Sequence, residues 1–231
     1  MTNLTPTATQ DRSKAERVYR ELRRRIRELT LPPGAPLRKE EIALEMGVSR
    51  APVSEAIARL ADEALVDVFP QHGSFVAPIR AGDVRESLFI RTALEVEAIR
   101  RVTQAAEPAL LAQLEENLAA QAAALKEGDL ALFYDLDEAL HAQIFSALQA
   151  PRALRLLDAA RAPLDRPRRI GLPEPGRPEA TFAEHRRMVD AIASGDPEFA
   201  AAAMRAHLSM VARSVERELA EIESKQAPDR R

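Results

Sequence analysis

Three of the four histidines in this 231-residue chain, His141, His185 and His207, fall in its C-terminal part, and Asp137 precedes His141 by four residues. The segment around 129–149 has an apolar stripe of Phe133, Leu136, Leu140, Ile144 and Leu148, with Asp137 and His141 one step beside it. A spacing of four puts both side chains on one inward side of a helix. His185 sits in the stripe Phe182, His185, Val189 and Ile192, and His207 falls with Ala200, Ala203, Leu208 and Val211. Four inward polar groups need partners, because each one buried alone costs on the order of 1 to 3 kcal/mol. A divalent metal satisfies all four at once: imidazole nitrogens and a carboxylate suit zinc first, and also nickel, iron or manganese. For any single histidine, a core ring bonded to a backbone carbonyl is the ordinary alternative.

These residues are positioned by long helical segments that occupy everything after residue 83, at about 83–105, 108–127, 129–149, 151–169, 179–194 and 196–222, with Pro, Gly or Asp at most junctions. The Pro-rich GLPEPGRP at 171–178 reads as a connection in this bundle, with a flexible lid as the other option. Upstream the punctuation differs. Val18, Leu22, Ile26 and Leu29 keep helical spacing until LPPG at 31–34 stops it, and a short pattern through Ile42, Ala43 and Met46 ends at Gly47. Ser49 is placed to cap a third helix from Arg50 to about Glu63, with Pro52 in its first turn. LVDVF at 65–69 and SFVAPI at 74–79 flank a turn at PQHG. The expected fold is therefore mostly α: an N-terminal winged helix-turn-helix, three helices plus a β-hairpin, joined to an all-α six-helix bundle. The boundaries follow as a disordered tail at 1–12, the winged helix at 13–79, a linker at 80–83, the helical domain at 84–223 and a disordered tail at 224–231.

In a helix-turn-helix the second helix of the pair enters the major groove with its N-terminal residues against base edges and phosphates. GVSRAPVS meets that need: Ser49 and Ser54 can bond phosphates, and Arg50 can fork onto a guanine or clamp a phosphate. His72 and Gly73 fall at the tip of the wing. Taken alone, the junction reads equally as a capped helix start with a solvated arginine; the order of helix, PPG, helix, GVSR helix and QHG hairpin favours DNA.

Composition sets limits. With 46% hydrophobic, 30% charged and 4% aromatic residues the chain favours helix. It has no cysteine, which excludes disulfides, thiolate metal sites and cysteine nucleophiles. No signal segment or membrane-length apolar run is seen, so a soluble, cytoplasmic protein is expected. The net charge of −3 is uneven: residues 11–80 carry 13 Lys and Arg against 11 Asp and Glu, and residues 81–231 carry 20 against 25. That small asymmetry decides nothing about a nucleic-acid partner, since clustering matters more than the total.

Val18 to Ile79, with LPPGAPL, EEIALEMGVSRAPVSEAIARL and VFPQHGSFV, resembles the N-terminal winged helix of the GntR family of bacterial transcription regulators. That family usually has Arg where this chain has Ser54, so its base contacts and operator do not transfer directly, and Arg38 or Lys39 are alternative sources of charge. FIRTALEVEAIR, DLDEALHAQIF and EHRRMVDAIASGDPEFAAAAMRAHL resemble the FCD effector domain of the FadR-like branch over residues 83–222. The resemblance implies a metal held by Asp137, His141, His185 and His207, and a packing change at Leu140, where the branch commonly has an aromatic residue. It also implies a homodimer on a palindromic double-stranded DNA operator, and a small carboxylate effector at or beside the metal that alters DNA affinity. Arg91, within the family-like IRTALE, is the first candidate to contact that effector, followed by Arg168 or Arg169, with Tyr134 as a hydrogen-bond donor. A solvated surface role is the alternative for the arginines and a core role for Tyr134. Two other functions compete with this ligand-responsive, non-enzymatic regulator. One is a sensor of the metal itself. The other is a metal-dependent hydrolase or lyase fused to a DNA module, against which stands the lack of a separate general base.

Overall fold

A computed structural model describes residues 6–171 and 174–226, and its contacts divide the chain into two units, Met1–Val84 and Arg85–Arg231. The first unit contains helices α1 (Pro6–Arg27), α2 (Lys39–Met46) and α3 (Arg50–Asp62), then strands β1 (Val66–Phe69) and β2 (Gly73–Val76). α1 and α3 pack together, with Val18, Leu22 and Ile26 of α1 and Val53, Ile57 and Leu60 of α3 buried; Leu65 after α3 is buried as well. Gly47 ends α2 at φ 63°, where its amide bonds back into the last turn; only glycine enters this left-handed region without a Cβ penalty, so the chain can reverse between α2 and α3 within three residues.

The hairpin pairs antiparallel, Val66 opposite Val76 and Phe69 opposite Gly73. The segment after α1 does more than stop a helix. The Gly34 amide donates to the Val76 carbonyl at 2.8 Å and the Leu37 amide to that of Ser74 at 2.8 Å, so LPPGAPL lies along β2 as a third short edge. Its prolines hide that pairing from any alternation pattern.

The second unit is a bundle of α4 (Ala81–Gln104), α5 (Pro108–Glu127), α6 (Leu130–Ala147), α7 (Pro151–Gly171), α8 (Arg177–Ala193) and α9 (Pro197–Gln226). Its core joins Ile99, Leu114, Leu118, Leu140, Ile144, Met188, Val189, Ile192, Met204 and Leu208.

Three expectations change. The stretch 1–12 is not a tail throughout, because α1 begins at Pro6, while residues 1–5 lie outside the described residues. The connection at 80–83 is shorter than expected, since α4 starts at Ala81. α9 continues through Gln226, so only 227–231 of the expected C-terminal tail lie outside the described residues, as do 172 and 173 of the Pro-rich connection.

Candidate functional site

Each element that carries a candidate ligand is fixed locally. Asp129 caps α6 by accepting from the Leu132 amide at 2.9 Å, and α6 then buries Phe133, Tyr134, Asp137, Leu140, His141 and Ile144 on one side. Gly176, at φ 80°, and Pro178 begin α8, which buries Thr181, His185, Met188 and Ile192. Asp196 accepts from the amides of Glu198 and Phe199, both at 3.0 Å, and starts α9, which buries Ala200, Met204, His207 and Leu208.

The three helices bring Asp137, His141, His185 and His207 together. One ligand atom from each lies within 4.8 Å of all the others, and all four residues are buried. Asp137 Oδ1 is 3.4 Å from His141 Nε2 and 3.5 Å from His185 Nε2. Four tetrahedral ligands about 2.1 Å from a metal stand roughly 3.4 Å apart, so these separations suit a metal. Asp137 Oδ1 and the Nε2 atoms of His141, His185 and His207 have no hydrogen-bond partner in the protein.

Their other atoms are held from outside. His185 Nδ1 donates to Gln121 Oε1 at 2.8 Å, and Gln121 in turn donates to Asn117 Oδ1 at 2.6 Å, which fixes the amide orientation. His207 Nδ1 donates to Glu184 Oε2 at 2.8 Å, and Arg177 holds Glu184 at 3.0 Å. His141 Nδ1 lies against the Glu95 carboxylate, and Asp137 Oδ2 pairs with Arg168. Each imidazole is thereby turned to present a bare Nε2 to the centre, the arrangement that orients metal-binding histidines. The residues present fit a divalent metal.

Electrostatics agree with that geometry. Burial pushes His185 well below the usual imidazole range, against the opposing pull of Asp137, and burial pushes His207 down to about 4 despite its bond to Glu184. Burial alone would raise the Asp137 carboxyl, but Arg168 and the histidines outweigh it and hold the group well below its ordinary range. Neutral rings and an ionised carboxylate are the protonation states that ligate.

A stability consequence follows for the metal-free protein. A histidine depressed from 6.5 to about 4 takes up a proton in the unfolded chain but not in the folded one. Stability is therefore full above about pH 6.5 and falls as pH drops towards 4, by about 2 kcal/mol per such group between pH 7 and 5. Denaturant titrations of chelator-treated protein at those two pH values measure it; equal midpoints mean the rings are already charged in the fold.

The effector candidates divide. Arg91 is not a solvated arginine: it is 0% exposed, its Nε donates to Glu95 at 2.5 Å, and its Nη1 and Nη2 are buried without a partner. The Arg168 guanidinium is committed to Asp137. Tyr134 is buried and donates to Asp165 at 3.0 Å, and Arg169 stacks over the Tyr134 ring at 4.1 Å while pairing with Asp135 at 3.1 Å. Sequence reasoning missed the outer partners. Gln121 had a visible signal, a polar residue on the α5 stripe of Leu114 and Leu118, and Glu95 lies one turn beyond Arg91.

In the first unit, Ser49 occupies the cap position of α3 in extended conformation, but its side chain makes no cap hydrogen bond, contrary to the expected capping. The exposed hydroxyl stays available to an outside acceptor. Arg50 is exposed, with Glu40 at 3.2 Å, and Ser54 one turn later is half-buried. Arg38, Lys39, His72 and Gly73 meet around one cleft of about 820 Å³ between the start of α2 and the hairpin. Two basic side chains and the wing tip thus share one surface.

A winged helix-turn-helix is the architecture of a DNA-binding protein, and here it precedes a helical bundle with a buried Asp/His cluster. Residues 14–76 match the model for bacterial regulatory proteins of the gntR family, and residues 86–210 match the FCD domain. The chain is 38% identical over 209 residues to an HTH-type transcriptional regulator in an unstable DNA locus of Streptomyces ambofaciens, covering 90% of this chain and 88% of that one. It is 32% identical over 200 residues to the HTH-type transcriptional repressor RspR of Escherichia coli K12, covering 87% and 88%. The E. coli McbR/YncC structure superposes with a TM-score of 0.78 at 20% identity, over 89% of this chain and 98% of that one, and shows the shared fold. The chain belongs to the GntR family: it is a transcription regulator with a helix-turn-helix DNA-binding domain and an FCD effector domain, and these domains and relatives are those of a regulator, not of an enzyme. Among the described residues no helix is long and apolar enough to cross a membrane.

Proposed function

We propose that the FCD domain binds one divalent metal through Asp137, His141, His185 and His207, and that a small organic acid bound at or beside the metal modulates operator binding by a homodimer. The observation that carries this reading is the set of four buried ligand atoms, unpartnered and converging, with their outer atoms tied to Glu95, Gln121, Glu184 and Arg168. Zinc is favoured by the three imidazoles and one carboxylate, with nickel, iron or manganese as the other ions of suitable chemistry. A bound metal supplies a Lewis-acid position for a carboxylate oxygen, and Arg91 supplies a buried cation for the anion's charge.

On the DNA side, Arg50, Ser49 and Ser54 address the major groove, while Arg38, Lys39, His72 and Gly73 address phosphates and the adjacent groove. Two winged helices of a dimer suit the two halves of a palindrome. The effector acts by binding the DNA-competent and incompetent states with different affinity.

Thermal-shift screening of carboxylates with and without chelator tests the proposal. Carboxylates raise the melting temperature of metal-loaded protein only, and the stabilising ones change operator affinity. If chelation alone abolishes operator binding and no carboxylate has any effect, the metal is itself the signal and the effector reading fails.

A further inference from the structure

α8 begins in a turn whose two ends are both tied down. Glu174, Pro175, Gly176 and Arg177 close a β-turn: the Arg177 amide donates to the Glu174 carbonyl at 3.0 Å, and Gly176 sits at φ 80°, ψ −9°. Those are the angles of the third residue of a type II turn, in which Pro at the second position and Gly at the third are the favoured residues. Pro175 has its φ locked by its ring, and Gly176 takes the left-handed value without a Cβ penalty, so the turn is stiff. A displacement at one end is carried to the other.

The two ends hold different partners. From the last residue of the turn, Arg177 reaches two turns along α8 to Glu184, with Nη1 at 3.0 Å from Oε1 and Nη2 at 3.4 Å from Oε2. That pair is nearly buried, at 11% and 6% side-chain exposure, and Glu184 Oε2 accepts from His207 Nδ1 at 2.8 Å. From the first residue, Glu174 accepts a two-pronged bond from Arg217 of α9, Nη1 to Oε1 at 2.9 Å and Nη2 to Oε2 at 2.8 Å. This second pair is exposed, at 61% for Arg217 and 40% for Glu174, so it adds little stability of its own. Its importance lies in its position. His207 and Arg217 are ten residues apart on α9, two fixed points about 15 Å from each other, and the turn with the first two turns of α8 bridges them. The contacts form a closed ring: His207, Glu184, Arg177, the turn, Glu174, Arg217 and back along α9.

We propose that the Glu174–Arg177 turn is a latch that couples the metal centre to the outer face of α9, so that ion binding at His207 and closure of the Glu174–Arg217 pair reinforce one another. It rests on the metal reading above and adds a surface position from which occupancy of the buried site can be altered. An ion on Nε2 draws charge from the imidazole and makes Nδ1–H the stronger donor to Glu184. A firmly held Glu184 fixes Arg177, and through the stiff turn it fixes Glu174 opposite Arg217. Linkage requires the reverse effect to be equal: whatever holds Glu174 to Arg217 raises affinity for the ion.

The test measures zinc affinity of the full chain by competition with a chelator, and amide exchange over 174–184 by mass spectrometry with and without zinc. Arg217→Gln and Glu174→Gln, which touch no ligand, each weaken zinc binding by about 3- to 5-fold, the reach of one exposed ion pair. Swapping the charges, Glu174→Arg together with Arg217→Glu, recovers most of that loss. In an Arg177→Gln background Arg217→Gln has no further effect, because the route to His207 is already cut. Zinc slows exchange over 174–184 in wild type and does so less in Arg217→Gln. Unchanged zinc affinity in both single variants, a charge swap without recovery, a full Arg217→Gln effect in the absence of Arg177, or exchange in the turn that ignores zinc overturns the latch. His185→Ala keeps the two readings apart, since His185 lies outside the ring of contacts: if that variant binds zinc as tightly as wild type, the metal reading fails whatever the turn does. Should Arg177→Gln fail to fold, the charge swap and the exchange data decide the matter.

Discussion

Purified wild-type protein is expected to carry one divalent metal per chain, and His185→Ala or His207→Ala to lose nearly all of it. The two rings come from different helices, α8 and α9, and each offers a bare Nε2 to the same point as Asp137 Oδ1. Removing one leaves three ligands, and affinity falls by more than the 10- to 100-fold typical of losing an outer partner. The outer partners give a graded control: Gln121→Ala frees the His185 ring to turn, and Glu184→Gln removes the carboxylate that holds His207 Nδ1, so each sits within that smaller range. Chelated wild type and the His variants should remain folded at neutral pH, because Arg168 already compensates Asp137 and burial holds the His185 and His207 rings below the usual imidazole range. Metal at saturating concentration then stabilises the wild type by about 4 kcal/mol at 1,000 times its dissociation constant, and the variants hardly at all. Unchanged metal content in both His variants would mean that the ion sits elsewhere.

The histidine cluster was legible because its four residues sit on three amphipathic stripes whose period survives in the sequence. Its supports were less so. Glu184 follows the general rule for a polar neighbour of a ligand, but nothing in its spacing announces that it clamps His207 and is itself clamped by Arg177 from the start of the same helix. The burial of Arg91 and Arg161 was not legible for a simpler reason: arginine is usually at the surface, and whether one is buried depends on packing between helices that spacing within one helix does not record. In the first unit the order of helix, turn, helix and hairpin was plain from Pro, Gly and apolar spacing. The third edge along β2 was not, because prolines in an extended segment look like punctuation. The start of α1 was missed because Pro6 to Gln10 lacks an apolar stripe, so no helical period in the sequence marks it.

Arg50→Ala is expected to weaken operator binding by roughly 5- to 150-fold, the loss of about 1 to 3 kcal/mol from one specific contact, without changing the fold. Arg50 opens α3 beside the uncapped Ser49 hydroxyl, and its guanidinium is exposed with only Glu40 at 3.2 Å to answer it. An exposed pair of this kind is worth little, about 0 to 1 kcal/mol, so the side chain can leave Glu40 for a guanine edge or a phosphate at small cost. Two readouts separate those destinations. If Arg50 reads a base, the variant loses discrimination at one operator position; if it clamps a phosphate, affinity falls evenly across sequences and the dependence on log salt drops by about 0.9. Glu40→Gln should act in the opposite sense, because it frees Arg50 and removes a carboxylate that repels the DNA backbone, tightening binding to unrelated sequences more than to the operator. Ser54→Ala should matter less, since a half-buried hydroxyl reaches at most one phosphate. An Arg50→Ala protein with wild-type operator affinity and unaltered salt dependence would remove α3 from the groove, and the cleft shared by Arg38, Lys39, His72 and Gly73 would then be the surface to test next.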